Sequence, residues 1–398
     1  MAALSQKSLK LISNIQKKAY LCTLDNNYIT NVLMTQISSL LLRFRNRLFR
    51  LYTHDYVSLS RRREAKRSFN KLRKNITPLT PAQKLDILSF WSQYRDVKHE
   101  LHWFEFYNTN CENKELLKYY IPDNIYYAEV DTFFTNARRC EALDDKNLYD
   151  LYFYDIKRPT TIIRKIDGEV FDKNYQLISF DQALELCTQA QQVVGKKATN
   201  SCGGHGVHFF DLTTTAEDFK AWLKQTDNVT VQEVIQQHDT LNSIHAKSIN
   251  TIRMMSMFLD GKTIILSSLL RMGAGGSRVD NGSSGGVFCG IDESGCLRET
   301  GYYTDGRACK QHPQGTVFKG FKVVGYDRCR EIIEKIAGRM FTATRLVSWD
   351  FAIGVDGEPI LIEANLTYGG LSTHLLSNGP IFGDMTPDIL DRVFHSKK

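Results

Sequence analysis

Alternation of apolar and polar positions near the C-terminus predicts a β-hairpin. Residues 348–365 read as two strands joined by a two-residue turn at Asp356-Gly357, a dipeptide that favours tight hairpins. Folding on that turn places Val355 opposite Glu358, Gly354 opposite Pro359 and Asp350 opposite Glu363. Side chains alternate faces along a strand. Trp349, Phe351, Ile353, Ile360, Ile362 and Ala364 therefore fall on a core face, and Asp350, Glu363 and Asn365 on the other.

Upstream, residues 1–76 read as helical, with Leu41, Leu42, Phe44, Leu48, Phe49 and Leu51 at helical spacing. Thr80 before Pro81 predicts a helix start, and the helix runs to residue 94. Residues 100–135 are rich in aromatics and show no decisive period. A helix opens at residues 145–148 and a strand follows at 159–163. A helix over 179–194, capped by Ser179, precedes a strand at 228–232. Strands at 249–259 and 263–271 flank an Asp260-Gly261 turn, and a long helix over 326–344 leads into the hairpin. Helices interleaved with antiparallel hairpins predict an α+β fold rather than a doubly wound parallel sheet.

Composition adds limits. The 398 residues, 42% hydrophobic and 24% charged, suit two or three globular domains. No apolar run approaches the roughly 20 residues that span a bilayer. Lys7, Lys10, Lys17 and Lys18 interrupt any apolar signal core, so a cytoplasmic protein is expected. Nine cysteines without a Cys-x-x-Cys pair suggest reduced thiols rather than a zinc site. The net charge of +7 is concentrated at residues 43–74, where Arg43, Arg45, Arg47, Arg50, Arg61, Arg62, Arg63 and Arg67 lie with several lysines. Such a block can meet nucleic acid, an anionic polymer or the inner face of a membrane, or it can be a solvated helical face. The apolar stripe beside it can pack on the body or rest on a membrane. Aromatics do not alternate with these cations, which argues against nucleic acid.

Three constellations carry chemistry. Asp350 and Glu363, directly opposite in a hairpin, would sit with Cβ atoms about 5 Å apart and repel. A positive group between them is expected. Together with Asn365 they form a hard oxygen set suited to Mg²⁺ held with substrate phosphates. The second is Lys197 ahead of Gly203, Gly204 and Gly206, a loop whose backbone amides can approach phosphates. Its spacing fits neither a Walker A nor a Rossmann fingerprint. The third is Arg253 and Arg271, set in apolar strands and in need of an anion: a phosphate, a carboxylate, or Asp350 or Glu363 themselves. The glycine-rich stretch 273–286 has the composition of a substrate-covering loop.

Taken in order, Asp145-Lys146, Lys197 with Gly203-Gly204-His205-Gly206-Val207, Val231-Gln232-Glu233-Val234-Ile235, and Asp350 with Glu363-Ala364-Asn365 resemble the ATP-grasp superfamily. Arg271-Met272-Gly273, Asp280-Asn281 and Gly285-Gly286 look most like its sugar-transfer associated branch, whose members are encoded among genes for cell-surface polysaccharides. The resemblance covers residues 140–375. It implies an ATP-grasp fold of two α+β subdomains, 141–231 with the phosphate lid and 232–398 with the metal site; the basic helical region 1–76, which it does not explain, and a region 77–140 precede them.

The resemblance also implies roles. Lys146 and Lys197 would contact ATP phosphates under a lid of Ser201, Gly203, Gly204 and Gly206. Gln232, Glu233, Val234 and Ile235 would meet adenine. Asp350, Glu363 and Asn365 would hold Mg²⁺, and Arg253 and Arg271 would steady the γ-phosphate and an acyl-phosphate. His205, Ala198 and Leu366-Thr367 depart from the common pattern, and the adjacent Lys196 leaves the lysine register open. The implied activity is an ATP-dependent ligase joining a carboxylate to an amine. A sugar or polyol kinase on the same fold, or a nucleotide-binding protein without catalysis anchored by its basic arm, are the alternatives.

Overall fold

Two antiparallel sheets organise the chain in the computed structural model, which describes residues 40, 60–63, 65, 69, 76–190, 192–199, 206–211, 214–280 and 285–396. The chain divides into two units, Met1–Val57 and Ser58–Lys398, and the architecture that follows is that of the second. Most of the helix expected over residues 1–76 lies outside the described residues. Leu40, residues 60–63, Ala65 and Phe69 are helical.

The first sheet contains β1 (Thr161–Ile166), β2 (Glu169–Asp172), β3 (Val193–Lys197), β4 (Val207–Phe210) and β5 (Val229–Glu233), in the order β2-β1-β5-β3-β4. The second contains β6 (Thr251–Leu259), β7 (Lys262–Met272), β8 (Val287–Ile291), β9 (Leu297–Tyr303), β10 (Ala308–Cys309), β11 (Leu346–Ile353) and β12 (Pro359–Asn365). Its order is β10-β9-β8-β7-β6-β11-β12. Every pairing is antiparallel, as interleaved hairpins require for an α+β fold. Asp260 (φ 50°) and Gly261 (φ 78°) turn β6 into β7, the left-handed pair that a tight hairpin demands.

Helix starts follow the capping chemistry. Thr80 opens α1 (Pro81–Trp91) with a capping box closed by Gln83. The aromatic-rich stretch becomes α2 (Leu101–Asn110) and a series of short turns of helix. Ser179 and Gln182 form a second capping box at α3 (Phe180–Gln189). That helix is shorter than expected. Val193 and Val194 leave it to pair with Glu233 and Gln232 in the sheet, where β-branched side chains pack well. α4 (Ala216–Gln225) covers the same sheet. α5 (Tyr326–Ile336) also ends early, at a 3₁₀ turn over Ala337–Met340 that contains Gly338. The described chain finishes with α6 (Leu371–Asn378) and α7 (Thr386–Phe394).

The second sheet is buried on both faces. On one, Met255, Met257, Leu269 and Phe288 meet Trp103, Phe104, Phe106, Tyr107, Tyr120 and Tyr126. The aromatic-rich segment thus serves as core for this sheet. On the other, Ile252, Met254, Trp349 and Phe351 meet Cys329, Ile333 and Ile336 of α5. The first sheet buries Ile163, Val229 and Val231 against Ala183 and Cys187 of α3 and Phe219 and Leu223 of α4. Among the described residues no helix is long and apolar enough to cross a membrane.

The C-terminal hairpin corrects its expected register at two points. Ile353, not Gly354, pairs with Pro359. The Gly357 amide bonds to Gly354 O (2.9 Å) and the Gly354 amide to Glu358 O (3.0 Å). The connection is therefore one residue longer, with Gly357 at φ 79°. A bulge between Asp350 and Phe351 then absorbs Ile362, and Asp350 pairs with Glu363. The bulge moves Ile362 off the core face. Leu361 enters the core in its place, fully buried.

Candidate functional site

A cavity of about 360 Å³ lies between the two sheets. Lys146, Val194, Lys196, Lys197, Val207, Phe209, Val234 and Ile235 line it from the first-sheet side. Thr251, Arg253, Arg271, Asp350, Ile362, Glu363 and Asn365 line it from the second, and the loop after β7 adds Arg278, Val279 and Asp280. The hairpin explains the acidic floor. Asp350 and Glu363 are cross-strand partners beside the bulge, and the displaced Ile362 shares their cavity.

The positive groups expected between these acids come from three elements. Arg253 on β6 is the direct partner of Asp350 on β11. Its Nε donates to Asp350 Oδ1 at 2.7 Å and its Nη2 to Oδ2 at 2.6 Å. Arg271 on β7 donates from Nη1 to Asp350 Oδ2 at 3.2 Å and from Nη2 to Asp280 Oδ1 at 3.1 Å. Burial alone would push the Asp350 carboxyl up, but the two guanidiniums outweigh it and hold it below the ordinary carboxylate value. Asp350 in turn raises Arg253 against the effect of burial.

Glu363 pairs with Lys146, whose Nζ lies 2.7 Å from Oε1. Lys146 sits in a 3₁₀ turn, Lys146–Leu148, capped by Asp145. Its amide bonds to Ala198 O at 3.1 Å, which ties this turn to the end of β3. Nearby Asp144 is pushed up to about 6 by burial, with Lys146 opposing and Glu363 reinforcing. Asn365 donates from Nδ2 to Ser348 O at 3.0 Å and reaches Asp350 Oδ2 at 3.5 Å.

Both lysines of the Lys196-Lys197 pair reach the cavity. Lys196 is the inner one: half-buried, with Nζ 3.3 Å from Gln232 Oε1. Burial pushes its ammonium down to about 8, with Glu363 opposing and Lys146 and Arg158 reinforcing. Lys197 is exposed at the strand end, where its amide bonds to Gly206 O at 3.3 Å. Gly206 has φ 80°. Ser201, Gly203, Gly204 and His205 lie outside the described residues.

The segment Gln232 to Ile235 closes one wall. Gln232 and Glu233 end β5, and the Glu233 amide bonds to Thr160 O at 2.9 Å. Beyond the strand the chain leaves the ladder with Val234 and Ile235 against the cavity. The Ile235 amide makes no hydrogen bond among the described residues.

A model of the family described as sugar-transfer associated ATP-grasp matches residues 132–384. The chain belongs to this family. This ATP-grasp chain has two α+β subdomains facing a shared cavity, the fold of its family. Among curated proteins none matches it. Among solved structures it is similar to D-alanyl-alanine synthetase A from Vibrio cholerae O1, with 14% identity, a TM-score of 0.36, and 63% of this chain and 64% of that one covered. It is also similar to the ATP-grasp ligase PsnB in complex with a phosphomimetic variant of its minimal precursor, Mg and ADP. There the identity is 12%, the TM-score 0.38, and the coverage 65% of this chain and 61% of that one. The match spans less than two thirds of the length of each of these solved chains.

Sequence reasoning did not single out Arg278, Phe209, Thr251 or Tyr368, all of which line the cavity. A lone arginine in a glycine-rich loop carries no periodic signal, and the aromatic and threonine positions read as ordinary strand residues. Tyr368 has φ 53°, a backbone state that only the fold reveals.

Proposed function

We propose that this ATP-grasp protein is an ATP- and Mg²⁺-dependent carboxylate–amine ligase acting in cell-surface polysaccharide biosynthesis. One observation carries the reading. Two carboxylates and an amide on one hairpin share a single cavity with Lys146, Lys196, Arg253 and Arg271 from four other elements. Such a concentration of cations around paired acids suits a polyphosphate held with a hard divalent ion. The family description supports the sugar-transfer setting; to it we add an amino acid or a sugar acid as one substrate.

The donor set fits Mg²⁺. Asp350, Glu363 and Asn365 bring carboxylate and amide oxygens to one cavity, and two carboxylates suffice where phosphates and waters complete an octahedron. Asp350, whose oxygens accept from Arg253 and Arg271, would share them with the ion. Glu363 keeps a second oxygen beyond the one near Lys146. When bound, the ion would draw charge from the phosphates and leave the γ-phosphorus open to attack.

In this reading adenine lies against Val194, Val234 and Ile235, with the backbone of Glu233 and Ile235 toward its edge. Lys146, Lys196, Lys197 and Gly206 take the phosphates. A carboxylate oxygen of the first substrate attacks the γ-phosphorus, the bond to ADP breaks, and an acyl-phosphate forms. The amine nitrogen of the second substrate adds to the acyl carbon and loses a proton. The carbon–oxygen bond to phosphate then breaks, leaving an amide and free phosphate. Arg253 commits Nε and Nη2 to Asp350 and offers Nη1 to a phosphoryl oxygen. Together with Arg271 it offsets charge that grows in the transition state.

The test is Mg-ATP with a panel of carboxylates and amines, read by product mass. Ligation yields ADP, free phosphate and a product lighter than the summed substrates by one water. Phosphate retained on a sugar or polyol product would replace the ligase with a kinase, and absence of ADP formation with every pair would overturn the reading.

A further inference from the structure

We infer that Arg278 is a phosphate-binding arginine that contacts the terminal phosphoryl group of ATP, an inference that rests on the nucleotide reading above. Its guanidinium lies 3.9 Å from the centroid of the Phe209 ring. Phe209 belongs to β4 of the first sheet, whereas Arg278 sits in the loop that follows β7 of the second. The contact therefore joins the two sides of the cavity that both residues line.

The other cavity arginines are committed to carboxylates. Arg253 holds Asp350, and Arg271 holds Asp350 and Asp280. No carboxylate of the described residues pairs with Arg278. Its side chain is exposed, and a guanidinium on an aromatic face in contact with water gains little. A bidentate bond to phosphate is stronger, because charge-assisted hydrogen bonds exceed neutral ones.

The loop holds Arg278 within reach of the reacting end. Asp280, two residues on, is fixed to Arg271. Two residues span at most about 7 Å of chain, so the Arg278 backbone stays close to the Arg271–Asp350 cluster. The root of the loop is also fixed. His312 Nε2 bonds to Gly273 O at 2.7 Å and His245 Nε2 to Gly275 O at 3.2 Å, both from fully buried rings. Between these anchors a rotation of the arginine side chain exchanges the Phe209 ring for a phosphoryl group without moving the loop.

Equilibrium binding of AMPPNP, ADP and AMP, each with Mg²⁺, to the full chain tests this. In Arg278→Ala, AMPPNP affinity should fall about tenfold or more, as expected for a lost hydrogen-bonded charge, while AMP affinity is unchanged and ADP affinity changes little. Arg278→Lys should recover part of the loss. Equal losses for all three nucleotides, or none, would overturn the inference, since Arg278 would then only pack on Phe209. A wild-type chain that binds none of the three would instead remove the nucleotide reading, and the inference with it. Arg278 is exposed, and unchanged thermal midpoints in both variants would exclude a folding defect.

Discussion

Arg253 grips Asp350 through two parallel hydrogen bonds, at 2.7 and 2.6 Å. Asp350 is buried, so removing the guanidinium leaves a charge in a low-dielectric setting with Arg271 as its remaining cation. Arg253→Ala should lower the unfolding free energy by about 3 kcal/mol, the scale for breaking a buried pair. Arg253→Lys should lose less, because it keeps the charge without the fork. Urea denaturation measures both. The sign of the pH effect follows from the lowered carboxyl. Its contribution is present above the unfolded carboxylate value and is lost as pH falls through the folded one. Arg253→Ala should therefore flatten the acid limb of the stability curve. Wild-type stability in Arg253→Ala would show that the pair contributes nothing.

Glu363 differs from Asp350 in exposure. Its side chain retains 23% of its accessible surface, beside Lys146. Glu363→Gln, which keeps a hydrogen-bond acceptor for the buried Lys146 ammonium, should therefore leave the thermal midpoint nearly unchanged and cut Mg-dependent ATP turnover at least about a hundredfold, the scale for losing one preorganised electrostatic contact. Full turnover in this variant would sink the magnesium assignment.

The hairpin shows what the sequence could and could not reveal. Asp350 opposite Glu363 was legible from the Asp356-Gly357 turn and period-2 alternation. The route to that pairing was not. A longer connection at Gly354–Glu358 and a bulge at Ile362 are each one residue out of step, and they cancel. Alternation assigns Ile362 to the core and Leu361 to the other face, and the bulge reverses both. Bulges are set by tertiary packing: the Tyr149 hydroxyl bonds to the backbone of Ala364, and the Leu361 amide bonds to Lys157 O. Val193-Val194 shows the same limit. Its apolar character suits the end of a helix or a strand until β5 arrives as a partner.

Lys196 should make nucleotide binding pH-dependent. Its ammonium is lowered from 10.5 to about 8 by burial. Above about 8 the amine is neutral and attracts phosphate less. ATP affinity should fall between pH 7.5 and 9.5 in the wild type (roughly tenfold per 1.4 kcal/mol lost) and stay low and flat in Lys196→Met. Stability moves the opposite way. The unfolded lysine binds more protons between about 8 and 10.5, so the folded state gains stability as pH rises through that window. Lys196→Met should remove that gain. A pH-independent ATP affinity would place Lys196 away from the phosphates.

Gly273 anchors the loop that carries Arg278 and Asp280. A Cβ there would collide with Ser248 Oγ and meet His245 Nδ1 at 3.0 Å, whereas one at Gly276 would meet nothing within 4 Å. Gly273→Ala should cost roughly 1–3 kcal/mol through overpacking and reduce turnover by shifting Asp280 from Arg271. Gly276→Ala should stay within about 0.5 kcal/mol of wild type. Equal behaviour of the two in thermal and kinetic assays would remove the anchoring argument.

Arg61 and Arg62 are neighbours in the basic block, yet the fold uses them differently. Arg61 is 3% exposed, paired with Asp131, bonded to Tyr127 O at 3.2 Å and 4.9 Å from the centroid of the cavity-lining Tyr368 ring. Arg62 pairs with Glu129 at a site where both side chains keep about 30% of their surface. Asp131 is buried, and burial pushes its carboxyl up despite Arg61. Arg61→Ala should therefore cost about 3 kcal/mol, the scale for a stranded buried charge, whereas Arg62→Ala should cost at most about 1 kcal/mol, as for a partly exposed pair. If the block served only as a surface for anionic polymers or membranes, the two variants would unfold at the same denaturant concentration and differ only in binding to anionic vesicles. A difference in unfolding alone would make Arg61 a structural strut behind Tyr368, and deletion of residues 1–76, which include Arg61, would then disturb the cavity wall at Tyr368.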